Sequence, residues 1–278
     1  MGQAYLHYRP WQARRGYWNN ATNCRLRRLR QSPLPNTMIP VRRLLADLVD
    51  FLYPPSCFAC RTNTRIDGLC LSCAGQLRPV RAPQCNICGL PYASQADTSR
   101  PCARCLAKTP SYRSARSCLI YDTTSPLAAL IRRFKYDRDV GLAPILASLL
   151  LRHLPALYPF DLILPVPLHR ERLGWRGFNQ AVLLGRRLSR HTRKPLLLRS
   201  LVRQRATRPQ VELGEADRLH NVRDAFAVSD PDLVDRRRIL LIDDVFTTGA
   251  TVDECARTLR RAGAIQVDVL TLARTGIA

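Results

Sequence analysis

Two adjacent carboxylates and the turn that follows them are the groups in this chain best placed to do chemistry. Asp243 and Asp244 come directly after the apolar run 239–242, which predicts a buried strand of a parallel sheet. The turn 247–251 is rich in threonine and glycine, and a helical pattern begins after it. Carboxylates accept hydrogen bonds from sugar hydroxyls, and a helix N-terminus attracts phosphate. The segment can therefore hold a phosphorylated sugar from both sides; the plainer alternative is a strand–turn–helix unit with a solvated acid pair.

The ends of the helix after this turn are indicated by the residue types. Thr251 and Glu254 have the spacing of a capping box, so we expect Thr251 to be the N-cap. Gly263 is expected just past the C-terminus, where a left-handed residue commonly ends a helix.

A second polar cluster follows another predicted strand, 162–166. Three arginines come soon after this strand, and a second helix is expected over 178–188. Guanidinium groups bind phosphate oxygens in pairs, and ligands of open α/β sheets bind at the carboxyl ends of strands. The cluster is thus suited to a pyrophosphate, and the alternative is a solvated basic loop. The arginines are Arg170, Arg172 and Arg176.

Eight of the 11 cysteines fall in four C-x-x-C pairs, a spacing typical of structural zinc sites. Disulfides are not expected in a chain that we predict to be cytosolic. The simplest assignment is sequential and gives about two Zn²⁺, each with four thiolates, although a crossed pairing has the same spacings. A redox pair and an iron–sulfur cluster are the other options. The first set is Cys57, Cys60, Cys70 and Cys73, and the second is Cys85, Cys88, Cys102 and Cys105.

The three remaining cysteines are not paired in the sequence. Cys118 and Cys255 are expected to be small buried apolar residues, and Cys24 lies in the N-terminal extension.

The elements that must position these groups divide the chain into three segments. Residues 1–37 have no helical or strand period and are expected to be a disordered basic extension, or an over-extended start with Met38 as the true first residue. Residues 38–110 combine an amphipathic helix at 41–53 with the cysteine pairs. Residues 111–278 alternate strands and helices, which predicts an α/β domain with a largely parallel sheet. The further strands expected are 117–121, 225–228 and 266–272, and the further helices are 125–134 and 142–154.

The composition limits the class of protein. At 278 residues the chain can bury a sizeable core, and no apolar run approaches the roughly 20 residues of a membrane span. No apolar segment follows the early arginines, so a signal peptide is not expected. The formal charge of +23 is carried almost wholly by arginine, which favours polyanions such as phosphorylated substrates or nucleic acid.

The segment 239–251 resembles the PRPP-binding signature of type I phosphoribosyltransferases, where PRPP is 5-phosphoribosyl 1-diphosphate. Four further motifs narrow the resemblance to the ComF/GntX family of phosphoribosyltransferase-like proteins. These are Lys135-Tyr136, Pro-Val-Pro-Leu-His at 165–169, Arg-Gly-Phe-Asn-Gln-Ala at 176–181, and the stretch with Arg203, Arg205, Thr207, Gln210, Arg218, Asn221, Val222, Ala225 and Phe226. The resemblance covers about residues 40–275 and implies a type I phosphoribosyltransferase fold with a hood and an N-terminal double zinc ribbon.

The resemblance also implies roles for individual residues. Asp243 and Asp244 would hold the ribose hydroxyls, and residues 203–221 would form a mobile flap. The 5′-phosphate loop would be Thr247, Thr248, Gly249, Ala250 and Thr251. The pyrophosphate would contact Pro167, Leu168, His169, Arg172 and Arg176. Flap or hood residues that could act in catalysis would be Arg203, Arg205, Arg218 and Lys135.

The resulting hypothesis is a bacterial cytosolic protein that displaces pyrophosphate from PRPP·Mg²⁺ with a base or an amine. The family's association with natural transformation suggests single-stranded DNA or DNA-uptake proteins as further partners; a homodimer also stays open. The competing hypotheses are a non-catalytic PRPP sensor or DNA-uptake partner, and a zinc-ribbon protein that binds single-stranded DNA.

Overall fold

The computed structural model describes residues 54–64, 68–92, 100–152, 154, 159–205 and 222–276. The chain divides into two compact units, Met1–Cys57 with Thr62–Gly68, and Phe58–Arg61 with Leu69–Ala278. The extension 1–37, the expected helix 41–53 and most of the expected flap lie outside the described residues. In the described part of the first unit, Ser56 and Asn63 form an isolated antiparallel β-bridge, and the Cys57 N–H donates to the Thr62 carbonyl at 2.8 Å.

The second unit contains seven α-helices and six strands among its described residues. The helices are α1 (Leu71–Gly75), α2 (Ala103–Ala107), α3 (Pro126–Tyr136), α4 (Ala143–Leu151), α5 (Arg170–Arg176), α6 (Gln180–Thr192) and α7 (Ala250–Arg261). The strands are β1 (Ser114–Ile120), β2 (Leu162–Pro165), β3 (Leu201–Arg203), β4 (Phe226–Val228), β5 (Arg238–Phe246) and β6 (Gln266–Arg274). None of these helices combines the length and apolar character needed to cross a bilayer.

The central sheet has the order β1-β6-β5-β2, and every pairing in it is parallel. Side chains alternate between its two faces, as a strand period of two requires. Ile239 and Leu241 of β5 pack towards α7, whereas Leu240 and Ile242 pack towards α3, α4 and α6. These positions are completely buried, so the sheet is covered on both faces. The α/β class predicted from the sequence is confirmed.

The outer strand β2 is short and carries a proline at its last position. The Ile163 N–H donates to the Pro195 carbonyl at 2.9 Å, and the Leu197 N–H donates to the Ile163 carbonyl at 3.0 Å. On the other side, β2 pairs with β5 as far as Pro165 opposite Ile242, and the Val166 N–H donates to the Ile242 carbonyl at 2.9 Å.

Several element boundaries differ from the sequence prediction, two of them because a polar side chain finds a partner. Strand β1 begins at Ser114 rather than at 117, since the Ser114 hydroxyl donates to Asp268 at 2.7 Å inside the sheet. Helix α6 begins at Gln180 rather than at 178, because the Asn179 side chain accepts the Ala181 N–H at 2.9 Å and caps it. Helix α4 starts only at Ala143, after a short 3-10 turn, and ends at Leu151.

The expected strand at 225–228 exists as β4 but does not join the central sheet. It pairs antiparallel with β3, so that Arg203 lies opposite Phe226 in a separate two-stranded sheet. Three residues of apolar character cannot distinguish the two placements, because both bury one face of the strand.

Candidate functional site

The acid pair lies on a half-paired stretch of β5. The strand runs on to Phe246, not to residue 242 as the apolar run indicated, because β6 pairs with it as far as Phe246 opposite Arg274. On the β2 side, pairing stops at Ile242. Asp243 and Asp244 are therefore held by one neighbouring strand while their other side opens beyond the end of β2.

Lys135 of α3 forms an ion pair with one member of this acid pair. Its Nζ lies 2.9 Å from Oδ1 of Asp244, and the Asp244 N–H donates to Oδ1 of Asp243 at 2.8 Å. Burial would lower the pKa of Lys135, but the attraction of Asp244 outweighs it and raises that pKa. Burial, and then the charge of Asp244, raise the pKa of Asp243 to about 7. The three groups form one charge cluster, in which the raised pKa of Asp243 places its protonation near neutral pH.

The phosphate-loop candidates form a tight turn around Gly249. This glycine has φ +80°, and a Cβ there would lie 2.5 Å from Cζ of Phe246. The next residue, Ala250, begins α7, and its N–H reaches the Thr248 hydroxyl at 3.4 Å. The turn thus presents the N-terminus of α7 beside the acid pair, an arrangement suited to an anion.

The N-cap prediction was wrong. Gly249 is the N-cap of α7, and Thr251 is the second residue inside the helix, because the left-handed turn at Gly249 starts the helix earlier. The carboxylate of Glu254 accepts the Asp224 N–H at 2.8 Å and the Arg257 guanidinium, so it does not close a capping box. The expected helix end is confirmed, since Gly263 follows the C-cap with φ +97°.

The second arm of the site is held by Gln180. Its side-chain oxygen accepts from Nη1 of Arg176 at 2.9 Å, and its Nε2 donates to the Phe134 carbonyl at 3.2 Å. The guanidinium of Arg176 lies 5.5 Å from the centroid of the Tyr136 ring. Because Phe134 and Tyr136 flank Lys135, Gln180 ties the arginine-bearing arm to the lysine-bearing helix. Burial lowers the pKa of Arg176, although a guanidinium remains charged at neutral pH.

His169 has a structural role in this arm. Its side chain is 7% exposed, and its Nδ1 accepts the Glu171 N–H at 3.5 Å as the N-cap of α5. It is not among the described side chains that line the cleft. Its contact with pyrophosphate stays a prediction.

The two arms and the two-stranded sheet of β3 and β4, which we term the hood, line one cleft of about 690 Å³. Five cations and two carboxylates line its described part, an excess of positive charge that suits a ligand with several phosphate oxygens. The cations are Arg132, Lys135, Arg172, Arg176 and Arg203. Of the other residues predicted from the sequence, Pro167, Leu168, Asp243, Asp244, Thr247 and Thr251 line it as well.

The hood contributes Arg203 through the end of β3. Its guanidinium carbon lies 5.3 Å from the centroid of the Phe226 ring on β4, and burial lowers its pKa. Arg205 donates from Nη2 to the Arg223 carbonyl at 2.7 Å and does not line the cleft. Arg218 lies outside the described residues.

Further residues of the cleft were not predicted as site residues. Tyr121, Tyr136, Trp175, Gln180 and Thr275 line it. Two of them, Tyr136 and Gln180, stand inside motifs quoted above, so proximity to the predicted residues could have indicated them. Trp175 and Thr275 gave no comparable signal.

The second cysteine set forms a compact group of sulfurs. The Sγ atoms of Cys85, Cys88, Cys102 and Cys105 lie within 4.8 Å of one another, and all four residues are buried. Burial would raise the pKa of Cys85, but N–H donors, among them those of Cys102 at 3.3 Å and Cys88 at 3.4 Å, lower it to about 6. Four converging thiols fit a tetrahedral structural zinc ion and leave no open position.

Three members of the first cysteine set, Cys60, Cys70 and Cys73, lie in the second compact unit, as the whole second set does. Cys60 and Cys70 have their sulfurs 3.7 Å apart, and the Cys73 N–H points to the Cys70 sulfur at 3.4 Å. The fourth member, Cys57, is completely buried and belongs to the first compact unit. The two sets together fit about two structural zinc ions. Cys118 and Cys255 are confirmed as buried residues, 1% and 0% exposed.

Residues 48–119 match a family model described as a double zinc ribbon domain. This range includes all eight cysteines of the two sets.

Curated relatives match most of the chain. The DNA utilization protein YhgH of Salmonella typhimurium is 37% identical over 230 residues, which cover 80% of this chain and 98% of that protein. Competence protein F of Haemophilus influenzae is 35% identical over 229 residues, 78% of this chain and 96% of that protein. Competence protein ComFC of Bacillus subtilis is 29% identical over 213 residues, with 74% and 84% covered.

Solved structures similar to this chain include two adenine phosphoribosyltransferases. The one from Leishmania tarentolae is 13% identical, covers 60% of this chain and 93% of its own, and has a TM-score of 0.35. The one from Thermoanaerobacter pseudethanolicus is 14% identical, with 56% and 88% covered and a TM-score of 0.32.

Proposed function

Because this chain belongs to the ComF/GntX family of phosphoribosyltransferase-like proteins, we propose that its cleft binds PRPP with Mg²⁺ and supports displacement of pyrophosphate by a nitrogen nucleophile. The observation that carries the proposal is the meeting of two unlike groups in one cleft. An acid pair able to accept ribose hydroxyls lies beside arginines able to bind a pyrophosphate.

The ribose and its 5′-phosphate are assigned to β5 and the turn after it. Asp243 and Asp244 accept hydrogen bonds from the two ring hydroxyls, and the N-terminus of α7 receives the phosphate. Nζ of Lys135 lies 2.9 Å from Oδ1 of Asp244. A ribose hydroxyl that binds Asp244 must therefore share this carboxylate with the lysine or displace the lysine from it. Binding is therefore coupled to the position of α3.

The pyrophosphate is assigned to the arm that carries Arg172 and Arg176, with Arg203 of the hood in the same cleft lining. In the proposed reaction the nitrogen of the acceptor bonds to C1 as the C1–O bond to pyrophosphate breaks. The electron pair leaves with pyrophosphate, and the N–H proton of the acceptor passes to solvent water. The arginines stabilise the charge that builds on the leaving group. Mg²⁺ bound with PRPP supplies further positive charge to that group.

Calorimetry with PRPP and Mg²⁺ tests the binding step. We expect Asp243→Asn/Asp244→Asn to weaken binding by about 10- to 100-fold, because two charged acceptors are lost. Asp230→Asn/Asp232→Asn, which changes two exposed acids outside the cleft, is the matched control and should bind as wild type does. Absence of binding by the wild-type protein would refute the proposal.

Pyrophosphate release over a panel of nucleobases and amines tests the chemical step. Release above the hydrolytic background with one acceptor supports a transferase. Binding without release over the whole panel supports the alternative of a PRPP sensor.

A second function, binding of single-stranded nucleic acid, is favoured by an aromatic pair on the rim of the cleft. Tyr136 and Trp175 are 51% and 58% exposed, with ring centroids 6.1 Å apart. Arg138 donates to the Trp175 carbonyl, and Arg132 and Arg172 lie in the same cleft lining. Exposed rings among arginines are a platform on which bases stack. The names of the relatives, which refer to DNA utilization and competence, agree with this function.

Fluorescence anisotropy with a labelled thymidine oligonucleotide tests this function. Trp175→Ala should weaken binding by about 10-fold, since one stacked base contributes about 1–3 kcal/mol. Leu198→Ala removes a comparably exposed apolar side chain outside the cleft and should have no effect. Equal affinities of the two variants would exclude the aromatic pair as the platform.

A further inference from the structure

A buried arginine at the end of β6 connects the second cysteine set to the sheet. Arg274 is 3% exposed, and its Nη1 donates to the Cys88 carbonyl at 2.8 Å. Burial lowers its pKa, so the side chain is kept in the interior against a desolvation penalty. An aliphatic side chain would fill the same space without that penalty, which indicates that the contacts of the guanidinium matter.

The second contact of this arginine is with an aromatic ring. Its guanidinium carbon lies 5.3 Å from the centroid of Phe246, the residue opposite it in the β5–β6 register. Tyr112 packs against the same ring edge-on, with centroids 6.3 Å apart. The position of the Phe246 ring is thus fixed from two sides.

The Phe246 ring also packs against the turn 247–251, the candidate phosphate loop. A Cβ placed on Gly249 would lie 2.5 Å from Cζ of Phe246 and within 3.2 Å of two further ring carbons. The ring therefore touches the main chain of the turn at its left-handed residue. A shift of Phe246 would change the backbone whose N–H groups begin α7.

The second cysteine set, which Arg274 contacts through Cys88, has the geometry of a metal site. Its four sulfurs converge within 4.8 Å, and Cys88 contributes both a thiol and the carbonyl that Arg274 holds. The turn after Cys88 is itself packed on the sheet, because a Cβ on Gly89 would lie 2.5 Å from the Ala115 carbonyl oxygen. Outer contacts of this kind orient ligands and tune the affinity for metal.

We propose that Arg274 is a positioning residue that couples the zinc of the second cysteine set to the phosphate loop through Phe246. Loss of zinc frees the Cys88 carbonyl, releases Arg274 and loosens the turn at Gly249. By linkage, a ligand that orders the turn raises the affinity for zinc. Only this last consequence rests on the proposed function, since it needs PRPP to bind.

Hydrogen exchange of the zinc-loaded full chain tests the coupling. Arg274→Met should speed amide exchange in the segment 247–252 and leave the segment 143–151, which belongs to α4 on the other face, unchanged. The zinc affinity, measured by competition with a chromogenic chelator, should also fall about 10-fold, the lower end of the usual effect of outer contacts on metal affinity.

Arg116→Met is the matched control. Arg116 also donates to a carbonyl beside the second cysteine set, that of Asn86 at 3.0 Å, but no contact with Phe246 is found among the described residues. It should leave exchange in 247–252 as in wild type. Equal exchange of that segment in Arg274→Met and in the wild-type protein would overturn the proposal, whatever happens to zinc.

Phe246→Leu serves as the second variant, which keeps the proposal testable if Arg274→Met does not fold. It retains the bond from Arg274 to Cys88 and removes the ring, so it should speed exchange in 247–252 with a full zinc content. Unchanged exchange in this variant would also overturn the proposal.

PRPP with Mg²⁺ should raise the zinc affinity of the wild-type protein, measured by competition with a chelator, and not that of Arg274→Met. If calorimetry shows no PRPP binding, the proposed function fails, and the exchange measurements without PRPP still decide on the coupling. If PRPP binds but leaves the zinc affinity unchanged, the coupling fails alone.

Discussion

Asp243 is in electrostatic conflict with its surroundings, because it is desolvated and lies beside a second carboxylate. Burial and the adjacent Asp244 both favour its neutral form, and Lys135 opposes them only in part. The raised pKa means that folding takes up a proton over roughly pH 4 to 7. The free energy of unfolding therefore falls as pH rises through this window, and the folded protein retains this strain at neutral pH.

Asp243→Asn should remove that strain. At pH 8 we expect the variant to be more stable than wild type by about 1–3 kcal/mol, with the difference vanishing near pH 4. Urea denaturation at both pH values measures it, and Asp232→Asn is an exposed control. An equal gain at pH 4 and at pH 8 would show that the charge is not the cause.

Lys135→Met should lower the free energy of unfolding at pH 8, the opposite of the effect expected for Asp243→Asn. Removing the cation leaves two neighbouring carboxylates without their buried partner, which costs about 2–4 kcal/mol at pH 8. The loss should shrink at pH 5, where Asp243 is protonated in the folded state. Lys194→Met, at an exposed lysine, is the control in the same denaturation series. A loss that does not depend on pH would assign Lys135 a packing role only.

At the scale of elements, the turn between β5 and α7 requires glycine at position 249 for two separate reasons. Gly249 needs a left-handed backbone, and its α-carbon faces the Phe246 ring without room for a methyl group. The sequence predicted the strand, the turn and the helix, because apolar runs and glycine report local geometry. It did not predict the N-cap, since the cap was decided by the Phe246 ring and the left-handed turn rather than by the spacing of Thr251 and Glu254.

Gly249→Ala should lower stability by about 1–3 kcal/mol and weaken PRPP binding by at least about 10-fold, because the loop must shift. Gly174→Ala in α5 is the control, since a Cβ there meets nothing within 4 Å. Thermal denaturation and calorimetry together measure both effects. Unchanged binding in Gly249→Ala would show that the loop is not part of the ligand site.

Interactions between distant elements were the part of the site that local patterns could not supply. The pairing of β4 with β3 and the bridge from Gln180 to Phe134 join residues more than 20 positions apart. Arg274 reaches Cys88 across 186 positions. By contrast, the converging cysteines and the acid pair were predicted from spacing and residue type, because metal and sugar-phosphate chemistry restrict both.

For the whole molecule, metal content is the most direct test of the zinc assignment. The full chain should contain about two zinc ions, and Cys60→Ser and Cys88→Ser should each lose about one. Cys118→Ala changes a buried cysteine outside both sets and should keep both ions. Elemental analysis of purified protein gives the count, and a value near one in the wild type would contradict the assignment.

The prolines around the end of β2 have a consequence for behaviour in concentrated solution. The Ile163 N–H faces away from β5 and donates to the Pro195 carbonyl, and Pro165, two residues further along β2 on the same side, has no N–H. An incoming strand from another chain would find no donors there with which to extend the sheet. The segment Pro-Val-Pro-Leu-His, which resembles a substrate-binding motif, thus also protects the sheet against edge-to-edge aggregation.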